Sequence, residues 1–479
     1  MANSKNLNPL DLPEIISRVG VFLSRDDILH CIQVCKAFHN TLVKSIWKRV
    51  VIVDSRYPTE EALQNYKEYI EELVFHNNFP KECVSLQGCN RLRFIESIAQ
   101  DPSDLSQVVN LIKFHSSTIT GLRFRCSHLW GIWEALMECV HLETLTIYDS
   151  NILLDGVDPF FQVCKKIKTL IMSDVGILRL PSGFVDDNTD EFIFPNVRKL
   201  ELQNVRIRCP LQQHSSSYCL GILTRRCPRL RSLSFYDLRW GTQSTQQTDI
   251  DYYRTAFQYH LYTLTKLLDL SLISMQLKDE EMAALLKQMT ELRQLVVPEC
   301  DFGPLSLQEL LADTQEIRDG ERLVRKRRER RLCDTLEDLS FNRRAKSPDG
   351  IVQTILSNCP RLKTLWGPKI TVTEIASGVE WVSTELTTME VILEVDVDQK
   401  TVEGMRMQRI AFRQLGKLTR LQSLGLTGLY SSYEKTRTLD LKLSAGLDEL
   451  VNLKNLRWLS FSRDDDQEIQ PEDNGYLLC

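Results

Sequence analysis

The chain has 479 residues, 43% hydrophobic and 26% charged, enough to bury a large core. A net charge of −5 and a pI near 6.0 argue against a general nucleic-acid surface, because no overall basic footprint exists. No run of about 18 apolar residues is present, which argues against a transmembrane helix, and the polar start MANSKNLNPLDLPE lacks the apolar core of a secretory signal. The expectation is a cytoplasmic and/or nuclear protein with neither nucleic acid nor membrane as partner.

Residues 8–49 read as three short helices. Asp11 with Glu14 forms a capping pattern, and Pro13 sits in the first turn, where its missing N–H costs nothing. Ile15, Ile16, Val19, Phe22 and Leu23 then fall on one helical face. Ser24 with Asp27 starts a second helix with Ile28, Leu29 and Ile32 as its apolar side. Cys35, Phe38, Leu42 and Ile46 give a third, closed by Trp47. A unit this small cannot cover its own apolar faces, so the surplus must meet either the residues after 49 or another protein. His30, Cys31, Cys35 and His39 do not make a metal site. Cys31, Cys35 and His39 would span about 12 Å on one helix, too far for one tetrahedral centre.

Beyond residue 50 one pattern recurs: apolar residues at 0, +3 and +5. Strong copies begin at Leu142, Val197, Leu230, Leu267, Leu292, Leu336, Leu421 and Leu456, and weaker ones at Ile70, Leu92, Ile119, Ile167, Leu362 and Leu386. These 14 units are spaced 22 to 44 residues apart. Positions +3 and +5 share one side of a short strand, and +2, +4 and +6 share the other. Each connector is long enough to return the chain for a parallel strand, and Asp279–Met289 puts apolar residues 282, 285, 286 and 289 on one helical face. Phe192–Asn196 reads as loop instead.

This pattern resembles the leucine-rich-repeat family over roughly residues 50–462, with strands on a concave face and helices on a convex one. One departure is clear. Position +8, usually Asn or Cys, holds Val175, Val205, Leu238, Met275, Cys300 and Leu429, so apolar packing replaces the amide ladder. Cys139, Cys164, Cys227, Cys333 and Cys359 each lie three residues before a unit start, which predicts a stack of small buried thiols. No Cys-x-x-Cys pair exists, so neither a zinc site nor a cofactor is expected.

With repeats behind them, the N-terminal helices resemble an F-box. The matching residues are Leu12-Pro13-Glu14-Ile15, Val19, Leu23, Asp27-Ile28-Leu29, Val34-Cys35-Lys36, Phe38 and Trp47, although the commonest form has one more residue between the Pro and the Glu. The resemblance implies that Leu12, Pro13, Ile15, Ile16, Val19, Leu23, Ile28, Leu29, Val34 and Phe38 bind a Skp-type adaptor, and through it cullin and RING subunits. It implies a non-catalytic substrate-recognition subunit of an SCF-type ubiquitin ligase, and no Walker, dinucleotide, HExxH or GxSxG motif suggests catalysis. The alternative is a repeat scaffold or GTPase regulator whose N-terminal helices only cap the solenoid.

Candidate contacts to an unknown substrate protein are Trp366 at +4, Trp458 at +2, and Tyr148 and Tyr236 at +6 of their units, among mostly small polar neighbours on the expected concave side. Arg325–Arg331 is the densest charge run. It reads as a solvated face of an extended helix, or else as a nuclear-import or acidic-partner patch. Insertions at Ser182–Glu191, Gly241–Thr248 and Asn342–Gly350 carry a weak Ser347-Pro348 phosphorylation dipeptide. The expected organisation is α/β: a three-helix F-box at 8–49, a leucine-rich-repeat solenoid at 50–462 shaped as an irregular horseshoe, and an acidic, disordered tail at 463–479.

Overall fold

The computed structural model describes residues 12–53, 57–77, 79–80, 83, 86, 88–99, 102–127, 129, 131–185, 190–210, 214–237, 250–259, 264–319, 322–341, 350–426, 439 and 441–460. Asp11, Leu238, Leu429, the insertion Gly241–Thr248, the Ser347-Pro348 dipeptide and the tail lie outside these residues. The chain divides into two compact units, one holding residues 1–197 and 205–213 and the other residues 198–204 and 214–479.

The first unit opens with α1 (Pro13–Gly20), α2 (Arg25–Cys31) and α3 (Lys36–Trp47). Ser24 and Asp27 make the expected reciprocal cap of α2, with the Asp27 amide donating to Ser24 Oγ at 3.2 Å. The expected cap of α1 rests on Asp11, which lies outside the described residues. Leu12 takes the N-cap position, has no side-chain bond to offer, and Pro13 stands at the first turn. After these helices come β1 (Arg49–Val53), β2 (Glu72–Asn77), β3 (Phe94–Ala99), β4 (Gly121–Arg125), β5 (Thr144–Ile152) and β6 (Thr169–Arg179), each parallel to the next.

The second unit carries β7 (Lys199–Gln203), β9 (Ser232–Tyr236), β10 (Asp269–Leu272), β11 (Gln294–Val297) and β14 (Asp338–Phe341), again parallel in series. It continues with β15 (Thr364–Thr371), β16 (Thr388–Glu394), β17 (Ser423–Gly425) and β18 (Trp458–Ser460). The remaining strand of the first unit, β8 (Arg206–Cys209), pairs with the far end of β6.

The register obeys the repeat frame. In the first unit the +3 residues Leu73, Ile95, Leu122, Leu145 and Leu170 are directly paired across neighbouring strands. In the second unit Leu200, Leu233, Leu270, Leu295, Leu339, Leu365, Met389, Leu424 and Leu459 are paired in the same way. All of them except Leu459, on the last described strand, are buried. A one-residue slip would turn the whole set to the other face, so the stacked apolar side chains hold the register. The arrangement is mixed α/β with long parallel strand series, consistent with a leucine-rich-repeat solenoid.

One strand was not expected. β1 precedes the first repeat, with Val50 paired to Leu73, and Trp47, Val50 and Ile52 reproduce the 0, +3, +5 spacing. Helix α3 therefore runs straight into a strand of the series, and Trp47 stacks on Tyr66 with centroids 4.7 Å apart.

The expected burial of the thiols is found. Cys139, Cys164, Cys227, Cys333 and Cys359 are all buried, and Cys89 adds a sixth at the same offset from Leu92. Cys139 and Cys227 donate to the carbonyls four residues back, of Ala135 and Leu223. Burial pushes Cys139 up to about 12 and Cys333 up to about 11, which keeps them as inert thiols. The +8 residues Val175, Val205 and Met275 are buried, as is Cys300, whose thiol donates to the Met275 carbonyl of the preceding unit. The helix Asp279–Lys287 buries Met282, Leu285 and Leu286 as its periodicity requires. In the irregular connectors of the first unit, Trp133, Phe160, Phe161 and Phe184 fill the core edge to face or tilted instead.

The basic run departs from the expected helix. β12 (Thr314–Asp319) and β13 (Arg322–Arg327) form a separate antiparallel pair, with Asp319 opposite Arg322. With Asp319 paired to Arg322, the sequence leaves only Gly320 and Glu321 between the strands, and a glycine in a two-residue connection is a hairpin signal that outweighs the charge pattern. Arg325, Lys326 and Arg327 are exposed, whereas Arg328 is buried and donates to the carbonyls of Glu309 and Leu286, both at 3.1 Å. Arg331 pairs with Asp334 at the start of the next short helix.

Candidate interaction surfaces

The three N-terminal helices sort their apolar residues into two sets. Ile16, Ile28 and Leu42 form a small buried core, with Leu23, Cys31, Ile32, Ala37, Phe38 and Ile46 packed around it. Gly20 lets α1 approach this core closely, since a Cβ there would lie 2.5 Å from Leu42 Cδ2. The other set faces outward. Leu12, Ile15, Val19 and Phe22 succeed one another at three- or four-residue steps, a stripe along α1 and its end. Phe22 is 88% exposed and Val34 72%, and Val21 and Leu29 are exposed as well. Pro13 is also exposed. Thus, of the ten residues expected to meet an adaptor, Ile16 and Ile28 are buried, Leu23 and Phe38 are half-buried against them, and the remaining six lie at the surface. Phe22 is the most exposed large apolar residue of the helices. Periodicity alone set Ile15, Ile16, Val19 and Phe22 on one face; Ile16 is buried, and Phe22, beyond the end of α1 at Gly20, is exposed with Ile15 and Val19.

His30 Nδ1 lies 2.8 Å from the Asp26 carbonyl, and Cys35 occupies the N-cap of α3. No group of three or more His, Cys, Asp or Glu suited to a metal occurs among the described residues, and no described helix is long and apolar enough to cross a membrane.

The second surface is the strand face formed by positions +2, +4 and +6. In the first unit it holds a groove of about 280 Å³ that includes Arg123, Arg125, Tyr148, Asp149 and Asp174 in its lining. Arg123 lies over the Phe94 ring at 5.8 Å, with Nη1 3.3 Å from Glu96 Oε2. Arg125 Nε donates to Asp149 Oδ2 at 2.7 Å, and Ser173 Oγ donates to Asp174 Oδ2 at 3.0 Å. Asp149 and Asp174 have φ of 46° and 55°, as does Asn204 in the second unit at 50°, and all three occupy +7 of their units. This left-handed conformation is one that Asp and Asn tolerate better than other residues with a Cβ. It falls within β5 and β6, where the pairing skips Asp149 and Asp174, and just after β7 at Asn204, and the groove lining includes Asp149 and Asp174. The recurring Asx at +7 was the signal available in the sequence.

Tyr148 lines this groove, half-buried. Tyr236 is half-buried on β9, its carbonyl accepting from the Asn204 amide at 2.7 Å. Trp366 stands on β15 and Trp458 on β18, with β16 and β17 between them. Trp366 is opposite Glu390, Glu390 is opposite Gly425, and a Cβ on Gly425 would lie 3.2 Å from the Trp458 ring. Each unit thus presents its own strand face of mostly polar residues with aromatic residues among them.

No protein-family model matches the sequence, and no curated protein does. Among solved structures, an internalin of Listeria monocytogenes aligns with a TM-score of 0.40 at 13% identity, over 97% of this chain and 100% of that one. The Toll–Spatzle complex of Drosophila aligns with a TM-score of 0.40 at 14% identity, over 88% of this chain, which spans 55% of that chain's length.

Proposed function

We propose that the chain is the substrate-recognition subunit of an SCF-type ubiquitin ligase, its N-terminal helices binding a Skp-type adaptor and its strand face binding a substrate protein. The observation that carries this reading is the outward stripe on α1. The helices satisfy their own core through Ile16, Ile28 and Leu42 and still present Leu12, Ile15, Val19, Phe22, Leu29 and Val34 to solvent. Exposed apolar residues gathered on one small element mark an interaction site. A strand face of polar residues with interspersed aromatics supports the second half of the reading, that of an interaction scaffold. The chain performs no covalent chemistry in this scheme and works by raising the effective concentration of substrate near the ligase. A cytoplasmic or nuclear location is part of the same proposal.

Capture of a Skp-type adaptor by the full chain tests it. Val19→Asp and Phe22→Asp should abolish capture while leaving the helices folded. Absence of adaptor binding by the unaltered chain sinks the proposal.

A second reading, a scaffold or GTPase regulator whose helices only cap the repeats, draws support from the direct passage of α3 into β1 and the Trp47–Tyr66 stack. It requires that removing residues 8–49 destabilise β1 and β2, with no partner lost.

A further inference from the structure

We infer that the strand face from β10 to β18 recognises a basic polypeptide segment and seats one arginine or lysine side chain between Trp366 and Trp458, against Glu390. The inference rests on the strand face being the substrate surface, and it names the chemistry of what that surface takes.

Three observations lead to it. First, the register places Trp366 opposite Glu390 and Glu390 opposite Gly425. Gly425 has no side chain to fill its place. Its Cβ position would meet Glu390 Cγ at 3.0 Å on one side and the Trp458 ring at 3.2 Å on the other, so the indole of Trp458 leans back over β17. Trp366 and the Trp458 ring therefore stand about two strand spacings apart, roughly 10 Å, with the glutamate between them. A cationic head group seated there would have an aromatic neighbour on either side and the Glu390 carboxylate against it. Both contacts favour a cation, the rings through their negative faces and the carboxylate through charge.

Second, the charge of this face has one sign. Positions +2 and +4 of β10 to β18, all of them described, carry Asp269, Asp338 and Glu390 and neither Lys nor Arg. Asp269 and Asp338 both face Gln294 from the strands on either side of it. Burial holds the Asp269 carboxyl above its ordinary range. Arg293 and Lys199 oppose that rise, and Asp338 and Glu337 add to it. A basic segment lying across the strands would relieve this repulsion.

Third, Trp458 is 48% exposed, which leaves its ring accessible to a ligand. The other side chains of this face are mostly small, which leaves the backbone of an extended ligand room to cross.

The test uses the full chain and three fluorescent heptapeptides of glycine and serine that carry two arginines, two lysines or two glutamates. Binding is read by polarisation at fixed salt. The arginine and lysine peptides should bind and the glutamate peptide should not. Glu390→Gln and Trp458→Ala should each weaken the basic peptides about tenfold. Glu403→Gln removes a charge from an exposed helix position paired with Arg406 and should leave binding unchanged. Equal weakening by Glu390→Gln and Glu403→Gln, or equal binding of the glutamate peptide, overturns the inference. Adaptor capture is measured on the same preparations. Loss of adaptor with peptide binding intact refutes only the helix docking reading, and intact capture without peptide binding refutes only this one.

Discussion

Replacing Ile16 and Phe22, six residues apart, by alanine should give opposite results. Ile16 has no exposed surface and contacts a core whose other fully or nearly buried members are Ile28 and Leu42. Truncating it removes three methyl or methylene groups from that core and leaves a void that Leu42 cannot fill without pulling away from Gly20. Such substitutions cost about 2–5 kcal/mol, and three helices with so small a core have little reserve. Phe22, 88% exposed, should cost the folded chain no more than about 0.5 kcal/mol. If it anchors an adaptor it should cost binding about 2 kcal/mol or more, close to a thirtyfold loss of affinity. Hydrogen exchange over residues 12–48 reads the first quantity, and adaptor affinity reads the second. The expected pattern is lost protection for Ile16→Ala and lost affinity with full protection for Phe22→Ala. Full protection with lost affinity in Ile16→Ala would refute the burial argument, because the side chain would then have to touch the partner.

Local geometry dictates two further outcomes. The Asp279 carboxylate accepts from the amides of Gly303, Leu305 and Ser306 at 2.8–3.0 Å and from Ser306 Oγ at 2.6 Å, capping the helix Pro304–Leu311 from the preceding unit. Asp279→Ala should cost about 2 kcal/mol and speed exchange across that helix some thirtyfold; unchanged exchange there means the cap contributes nothing. His115 is buried, with Nε2 2.9 Å from the Leu86 carbonyl, and burial lowers its pKa from the ordinary 6.5 despite that hydrogen bond. The unfolded chain takes up this proton first, so the stability of the first unit should fall as pH drops from about 6.5 through the lowered value. In His115→Gln that part of the pH slope should vanish, and an identical slope in both proteins rules the histidine out.

The repeat frame was readable because burial alone decides it. An apolar residue at 0, +3 and +5 is required wherever a strand packs on one side, and the paired +3 residues meet that requirement from Leu73 to Leu459. What escaped detection was decided by competition between signals. The spacing of Trp47, Val50 and Ile52 is that of a repeat, but it overlaps the end of a helical pattern. Arg328 reads as one more cation in a run, yet two carbonyls bury it. Ile16 and Phe22 belong to one apolar run in the sequence, but Ile16 turns to the core while Phe22 follows the exposed Ile15 and Val19. At the strand face, Trp366 and Trp458 were visible one by one. Their common neighbour Glu390 emerged only when the register set three strands side by side.

The passage of α3 into β1 bears on how force and orientation are transmitted. A chain joined to its anchor by a loose linker explores a sphere, and its cargo meets the anchor's neighbourhood only part of the time. Here the N-terminal helices and the first strands share one continuous backbone, closed by the Trp47–Tyr66 stack and by the pairing of Arg49 through Val53 with Glu72 through His76. Whatever grips α1 therefore sets the bearing of the first strands directly, like a bracket rather than a tether. Inserting a few glycines at Lys48 would break the bonds that its carbonyl accepts from the Glu71 and Glu72 amides, and with them that fixed bearing.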